Sequence, residues 1–258
     1  MKIEHISISR ENTWNECQKK YYYRYHQGML PPVEPIYFLY GKIVHKVIET
    51  YTVAKGKRDI NEIVKAVLAG DIELEEGKDG KPGKKAGPLP PDYRAKLPEH
   101  LRSFMKLTKS IGFEGEVEWK FEHDLDPPHG RKLVGVIDRL LLLKDMCFII
   151  DYKTTKPGPY RKTKATIGGD LQLQCYARIA QKNFNYKAEQ IRCALFFLDG
   201  CEVVDTKFTQ ETIDGVEKRL LEVYKSIETA NPETAPGTVG KHCYRCDYKN
   251  ICPYFNRV

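Results

Sequence analysis

The chain has 258 residues, of which 41% are hydrophobic and 30% are charged, a balance that excludes a disordered protein and an integral membrane protein. Its 42 lysines and arginines exceed its 35 aspartates and glutamates, and the net charge of +7 is compatible with a polyanionic partner without requiring one. Because the N-terminus lacks the apolar run of a secretory signal, we expect a cytoplasmic protein. Its eight cysteines are then not a disulfide framework.

Hydrophobic periodicity predicts a helical N-terminal part of the chain. Four helices are expected, over residues 9–25, 36–55, 59–69 and 92–111. The first is opened by a serine cap and carries Trp14, Cys17 and Tyr21 along one side. Residues 77–91 hold four glycines, four prolines and four lysines, a composition typical of a mobile loop or a tether.

From residue 113 onward the pattern changes to that of strands. Five strands are predicted, over residues 113–122, 132–143, 146–154, 190–198 and 203–208. Two further helices are expected over 168–184 and 211–228, and a cysteine-rich tail follows. This order of helices, three strands, a helix, two strands and a closing helix predicts a mixed α/β fold.

Two aspartates end apolar stretches of the second and third predicted strands. A hairpin centred on Lys144 and Asp145 pairs Asp138 with Asp151, with their Cβ atoms about 4.5–5.5 Å apart. Lys153 lies two residues beyond Asp151, so its side chain leaves the same face of the strand. These three side chains are therefore expected to share one site.

Two facing carboxylates at an apolar site repel each other and lose hydration, which is costly unless a cation lies between them. A hard divalent ion such as Mg²⁺ or Mn²⁺ prefers oxygen ligands of this kind. The alternative is a salt-bridge network that joins both aspartates to Lys153 and Arg139. These residues alone leave both interpretations open.

Residues 135–138 have the sequence Gly-Val-Ile-Asp, and residues 151–153 have Asp-Tyr-Lys. Together they resemble the core signature of the PD-(D/E)XK nuclease superfamily. Residues 41–45 match a Gly-x-x-x-His motif, and residues 172–176 match a Gln-x-x-x-Tyr motif. These two motifs are similar to those of the RecB-like branch, which includes AddB-type nuclease domains and CRISPR-associated iron–sulfur exonucleases.

The resemblance implies a restriction-endonuclease-like core, in which helices flank a mixed central sheet. It divides the chain into an N-terminal helical portion (1–111), the nuclease core (112–230) and a C-terminal tail that binds an iron–sulfur cluster (231–258). This division places the first cluster cysteine and the metal-site histidine in the helical portion.

The resemblance also implies roles for individual residues. The catalytic metal would be held by His45, Asp138, Asp151 and the main-chain carbonyl of Tyr152. Lys153 would position or help deprotonate the attacking water and stabilise the developing negative charge. Gln172 and Tyr176, four residues apart on one helical face, would orient the DNA backbone or Lys153.

Without the resemblance, several of these residues have ordinary explanations. His45, Gln172 and Tyr176 would each be read as side chains flanking an apolar helical stripe. The superfamily often adds an acid from the strand before the hairpin, where Glu116 and Glu118 share a face. Glu118 is the candidate for this acid, but a weaker one than the other site residues, because a solvated sheet face explains both glutamates equally well.

The cysteines divide into two sets. Four thiolates suit either an iron–sulfur cluster or zinc. RecB-like iron–sulfur nucleases have one cysteine before the core and three after it, and the resemblance implies a [4Fe–4S] cluster bound by Cys17, Cys243, Cys246 and Cys252. Zinc remains an alternative, with His242 in place of Cys17. The other cysteines are expected to be small core residues: Cys147, Cys175, Cys193 and Cys201.

The resemblance implies a metal-dependent DNA nuclease, an exonuclease on single strands or duplex ends. It would act in recombination, repair or CRISPR spacer processing in a prokaryote or phage, with a helicase, an annealing protein or a CRISPR integration protein as candidate partners. Residues 156–164, with four cations and one aromatic residue, suit sequence-independent contacts with DNA. The alternative function is a non-catalytic DNA-binding or assembly subunit that retains the fold.

Overall fold

The computed structural model describes residues 1, 3–31, 34–77, 83–159 and 161–255. The chain divides into two compact units. The larger unit comprises residues 34–119 and 136–210, and the smaller unit comprises residues 1–33, 120–135 and 211–258. Among the described residues, no helix is long and apolar enough to cross a lipid bilayer.

Seven α-helices are present in the described residues: α1 (Ile8–Glu16), α2 (Gln18–Tyr21), α3 (Ile36–Val53), α4 (Ile60–Ala69), α5 (Pro91–Ile111), α6 (Leu171–Phe184) and α7 (Gln210–Thr229). Helices α3 to α7 agree with the predicted ones to within a few residues. Side-chain capping explains where helices α4 and α6 begin. The Asp59 carboxylate accepts the main-chain N–H groups of Asn61 and Glu62, and the Asp170 carboxylate accepts that of Leu173, which satisfies N–H groups that lack partners inside the helix.

The first predicted helix is interrupted. It begins after Ser7, whose hydroxyl accepts the N–H of Arg10 at 3.3 Å, and it breaks at Cys17, where the backbone is extended. Helix α2 and a π-helical segment over Tyr22–His26 follow. The N–H of Lys19 donates to the carbonyl of Pro236 at 2.9 Å. The N–H of Lys19 therefore bonds to the distant C-terminal part of the chain, where a continuous helix would pair it with a carbonyl of the preceding turn.

Within the described part of the chain, five strands form one mixed sheet in the order β1-β2-β3-β4-β5. They are β1 (Glu116–Asp126), β2 (Arg131–Leu142), β3 (Cys147–Lys153), β4 (Ile191–Phe197) and β5 (Glu202–Thr206). The β2–β3 and β4–β5 pairs are antiparallel, and the β3–β4 pair is parallel. The predicted mixed α/β fold with flanking helices is confirmed.

The hairpin that carries the two aspartates has the predicted register. Arg139 pairs with Ile150 and Leu142 with Cys147, and the N–H of Leu143 donates to the carbonyl of Met146 at 2.9 Å. The paired residues end at Arg139 and Ile150, and Asp138 and Asp151 are the next residues on the two strands.

The core of the larger unit lies between helices α3, α4 and α5 and one face of the sheet. Helix α3 contributes fully buried side chains such as Ile43 and Val47, and Phe104 of α5 is also buried. Tyr152 and Phe196, on β3 and β4, belong to the same apolar cluster. Because this cluster fixes α3 against the end of β3, it also fixes the polar side chains that these two elements direct away from the core.

Candidate active site

An open cleft of about 510 Å³ lies in the larger unit. Its walls come from α3, β1, β2, β3, α6 and the segment after α4. Six of the predicted site residues line it: His45, Asp138, Asp151, Tyr152, Lys153 and Gln172. The fold thus brings together motif residues that are far apart in the sequence.

His45 is held between a main-chain carbonyl and two carboxylates. Its Nε2 lies 3.1 Å from the carbonyl oxygen of Tyr152, and since a carbonyl only accepts, Nε2 carries the hydrogen. Its Nδ1 lies 3.5 Å from Oε1 of Glu118 and 3.6 Å from Oδ2 of Asp138. Burial lowers the pKa of His45, but the carboxylates of Asp138 and Glu118 outweigh it and raise this pKa to about 9.

Asp138 and Asp151 are both buried, with exposed fractions of 8% and 2%. Oδ2 of Asp138 accepts the N–H of Tyr152 at 2.7 Å, and Oδ2 of Asp151 lies 2.5 Å from Nζ of Lys153. Burial raises the pKa of Asp138. It also raises the pKa of Asp151 to about 6, although Lys153 opposes this shift. Two neighbouring acids with raised pKa values mark a site where an added cation would be stabilised.

Lys153 is fixed by a chain of hydrogen bonds that ends on the main chain of β2. Its Nζ donates to Oε1 of Gln172 at 3.1 Å, and Nε2 of Gln172 donates to the hydroxyl of Tyr176 at 2.7 Å. That hydroxyl donates to the carbonyl of Val136 at 2.5 Å. Burial lowers the pKa of Lys153, but Asp151 and Asp138 outweigh it and raise this pKa. Lys153 is therefore a charged group in a defined position.

Glu118 also belongs to this cluster, although the strand pattern made it only the weaker candidate. Its backbone has φ = 47°, a left-handed conformation that is unfavourable for a residue with a side chain. Such strain persists only where the surroundings impose it, and it occurs often at functional sites. Strand alternation alone does not report this irregular backbone, so the sequence offered no stronger signal.

The donor set fits a hard divalent cation. One ligand atom from each of His45, Glu118 and Asp138 lies within 4.8 Å of the others, and oxygen ligands with one imidazole suit Mg²⁺ or Mn²⁺. Nearby, Oδ2 of Asp151 is buried with an ion pair but no hydrogen bond. Arg139 does not complete a salt-bridge network here, because its guanidinium donates to the main-chain carbonyls of Gly112 and Glu114.

A sequence profile of the PD-(D/E)XK nuclease superfamily matches residues 5–253. The chain belongs to the PD-(D/E)XK nuclease superfamily. Its members are typically metal-dependent nucleases, so a divalent-metal site and a DNA substrate are supported. The predicted superfamily is confirmed. No curated protein sequence is significantly similar to the chain.

Two solved structures are similar to this PD-(D/E)XK chain to different degrees. A "Putative exonuclease" from Eubacterium rectale is 12% identical, with a TM-score of 0.57 over 98% of this chain and 88% of that chain. The protein SSO0001 is also 12% identical, with a TM-score of 0.46 over 98% of this chain and 88% of that one. At 12% identity, the likeness to the Eubacterium rectale protein concerns the fold alone.

The smaller unit of this superfamily member contains a cavity lined by cysteines. The four predicted cluster ligands line it: Cys17, Cys243, Cys246 and Cys252. The N–H of Thr238 donates to Sγ of Cys17 at 3.4 Å, and Sγ of Cys243 lies 3.6 Å from Nε2 of His242. Thiols from opposite ends of the sequence therefore face one space. Of the other cysteines, Cys201 is half-buried and the remainder are buried: Cys147, Cys175 and Cys193.

The basic stretch over 156–164 is partly engaged by the protein itself. Arg161 donates to Glu202 at 2.9 Å, and Lys164 donates to Asp205 at 2.9 Å. Tyr160, the one aromatic residue of this stretch, lies outside the described residues. Two of the four cations in this stretch are thus already paired with carboxylates.

Proposed function

We propose that this protein is a divalent-metal-dependent deoxyribonuclease of the RecB-like branch, acting as an exonuclease on single strands or duplex ends. The observation that carries the proposal is the group of His45, Glu118 and Asp138, with Asp151 and Lys153 beside it in an open cleft. A helicase, an annealing protein or a CRISPR integration protein would deliver the DNA in recombination, repair or spacer processing. The motif resemblance to RecB-like nucleases supports this part of the proposal.

The proposed ligands of Mg²⁺ or Mn²⁺ are His45, Glu118, Asp138 and Asp151, with the Tyr152 carbonyl beside them. When bound, such an ion lowers the pKa of water and neutralises charge on the scissile phosphate. The carbonyl of Tyr152 accepts the Nε2 hydrogen of His45, which leaves Nδ1 for coordination once it is deprotonated. His45 is thus oriented by the same strand that carries Asp151.

Lys153 has the proposed role of electrostatic stabilisation. Asp151 keeps the ammonium charged, and Gln172 holds it at the cleft wall through the 3.1 Å bond. A fixed positive charge at this point stabilises negative charge that develops on a phosphate during hydrolysis. Gln172 and Tyr176 act through Lys153 in this proposal, so they are positioning residues.

We also propose that Cys17, Cys243, Cys246 and Cys252 bind a [4Fe–4S] cluster. Their shared cavity supports this assignment, as does the main-chain N–H donated to Cys17, because hydrogen bonds to sulfur are a common feature of such clusters. The cluster would clasp the N-terminal helices to the C-terminal tail.

Metal analysis of anaerobically purified protein distinguishes the cluster from zinc. We expect iron and acid-labile sulfide in equal amounts, and loss of the visible absorbance in Cys17→Ser. Cys201→Ser is the control, since this half-buried cysteine does not line the cavity. Stoichiometric zinc without iron would contradict the cluster.

Variants separate a nuclease from a non-catalytic DNA-binding subunit. Asp151→Asn and Lys153→Ala should lower DNA cleavage by about 100-fold or more, and fluorescence anisotropy should show that both variants still bind DNA. Asp145→Asn, at the exposed hairpin tip, is the matched control and should cleave normally. Wild-type cleavage by Asp151→Asn would reject the assignment. DNA binding without cleavage by the metal-loaded wild type would favour the binding subunit.

A further inference from the structure

Two aromatic rings lie side by side on the wall of the cleft. Tyr37 and Phe38, in the first turn of α3, have exposed fractions of 55% and 47%. Their ring centroids are 4.6 Å apart, with an angle of 38° between the planes. Both rings line the same cleft as His45 and Asp138. Contiguous exposed apolar surface is more informative about binding than single exposed side chains are, and this pair lines the cleft that holds the proposed reaction site.

The rings lie close enough to the metal-binding group for a few nucleotides of one strand to reach both. His45 follows Tyr37 by about two helical turns, roughly 12 Å along the axis of α3. Gly41 lies between them and also lines the cleft, and a Cβ atom added there would meet no atom within 4 Å. The helix surface between the rings and His45 therefore leaves room for a strand.

The cations beside the rings are already paired. Lys42 lies 2.7 Å from Glu34 and 2.6 Å from Glu75, and Lys46 lies 2.6 Å from Glu49. These carboxylates neutralise the lysines, so this wall offers little net charge to attract phosphates. The ring faces are then the part of the wall that can hold a nucleotide strand.

We propose that Tyr37 and Phe38 stack on unpaired bases of the substrate strand and so select single-stranded nucleic acid. This inference rests on the proposed function, since the strand held by the rings is the one cut at the metal site. Every base presents a flat face for stacking, so the contact tolerates any sequence. In a continuous duplex the neighbouring base pairs cover these faces, and only base edges are accessible in the grooves.

The test compares two double variants in an Asp151→Asn background that preserves the DNA. Tyr37→Leu with Phe38→Leu removes both rings but keeps apolar side chains that favour helix. Tyr37→Phe with Phe38→Tyr retains both rings in exchanged positions. The probe is a fluorescein-labelled 12-nucleotide oligothymidylate, and single abasic sites are placed at each position in turn. Val53→Ala, at the exposed far end of α3, is the control.

We expect the leucine pair to weaken binding by about 5- to 150-fold. The exchanged pair and Val53→Ala should bind like the parent protein. Abasic sites at one or two adjacent positions should weaken binding to the parent, and this sensitivity should disappear in the leucine pair. A misfolded variant would instead bind the oligothymidylate weakly wherever the abasic site is placed, and circular dichroism would detect the misfolding.

Three results would overturn the inference: no binding of the oligothymidylate by the parent, an unchanged abasic profile in the leucine pair, or equal affinity of the parent for a blunt 12-base-pair duplex. Cleavage assays of Asp151-containing protein distinguish this failure from that of the proposed function. Metal-dependent cleavage that is as fast with both rings replaced by leucine as in the wild type would reject only the stacking role. Stacking without cleavage rejects only the nuclease.

Discussion

Lys153 donates a hydrogen bond to Gln172 at 3.1 Å, which ties helix α6 to the charged end of strand β3. Because Gln172 is in turn anchored through Tyr176 to the carbonyl of Val136, the position of the ammonium group depends on the sheet as well as on its own strand. Side chains held in this way lose little freedom when a transition state forms, and this preorganisation is a main source of catalytic stabilisation.

Gln172→Leu removes the acceptor for Lys153 and should lower kcat by about 10- to 100-fold, the range found when groups that orient a metal site are removed. Tyr176→Phe should have a smaller effect, because Gln172 can still contact Lys153. Metal affinity, measured by calorimetry, should stay unchanged in both variants. Gln181→Leu, at the far end of α6, is the control. Wild-type kcat in Gln172→Leu would contradict the positioning role.

Glu118→Gln tests the ligand that sequence patterns ranked lowest. Loss of one carboxylate from the group with His45 and Asp138 should weaken Mn²⁺ binding by at least about 10-fold. Glu116→Gln is a matched control two residues earlier on the same strand, where the side chain is exposed. Isothermal titration calorimetry measures both affinities. Equal weakening in the two variants would show a general charge effect instead of coordination.

Gly41→Ala should separate stability from activity. An alanine in a helix interior stabilises the fold by about 0.5–1 kcal/mol relative to glycine, and the added methyl group at position 41 meets no other atom. The same methyl group projects into the cleft and should lower kcat/KM for single-stranded DNA. Gly215→Ala, in α7, also meets no atom and should raise stability without changing cleavage. Urea unfolding and cleavage rates check both statements, and unchanged cleavage by Gly41→Ala would contradict a substrate path along α3.

His100 should make folding stability depend on pH. It is 1% exposed, its Nδ1 lies 2.9 Å from the hydroxyl of Tyr40, and burial lowers its pKa. Below its unfolded pKa of about 6.5, the unfolded chain takes up a proton that the folded protein resists. As the pH decreases below about 6.5, the free energy of unfolding should therefore decrease until the pH reaches the folded pKa of His100.

The comparison is between wild type and His100→Gln in EDTA at pH 7.5 and pH 5.5. The wild type should lose more stability between these values, by at most about 1.4 kcal/mol for each pH unit. Because the Asp151 carboxyl titrates in both proteins, the difference between them isolates His100. Identical losses would show that His100 ionises as easily in the folded protein as in the unfolded chain.

Much of the larger unit was predictable because it depends on local patterns. Strand alternation and the turn at Lys144 and Asp145 sufficed for the hairpin register, which brings Asp138 and Asp151 together. The N-terminal helix break at Cys17 was not predictable, because it depends on a contact between Lys19 and Pro236. A tertiary contact therefore accompanies the helix break, and local patterns do not report it. Glu118 could be named only as a weak candidate, because its left-handed backbone has no counterpart in the residue pattern.

The central claim is tested most directly by cleavage of a 5′-labelled single-stranded oligonucleotide with Mg²⁺, Mn²⁺ or EDTA. Anaerobically purified wild type and Asp138→Asn are compared at equal concentration. We predict shortened labelled products with either metal, no products in EDTA, and a rate at least about 100-fold lower in the variant. Cleavage that persists in EDTA or at the wild-type rate in Asp138→Asn, or no cleavage by metal-loaded wild type, would contradict the account.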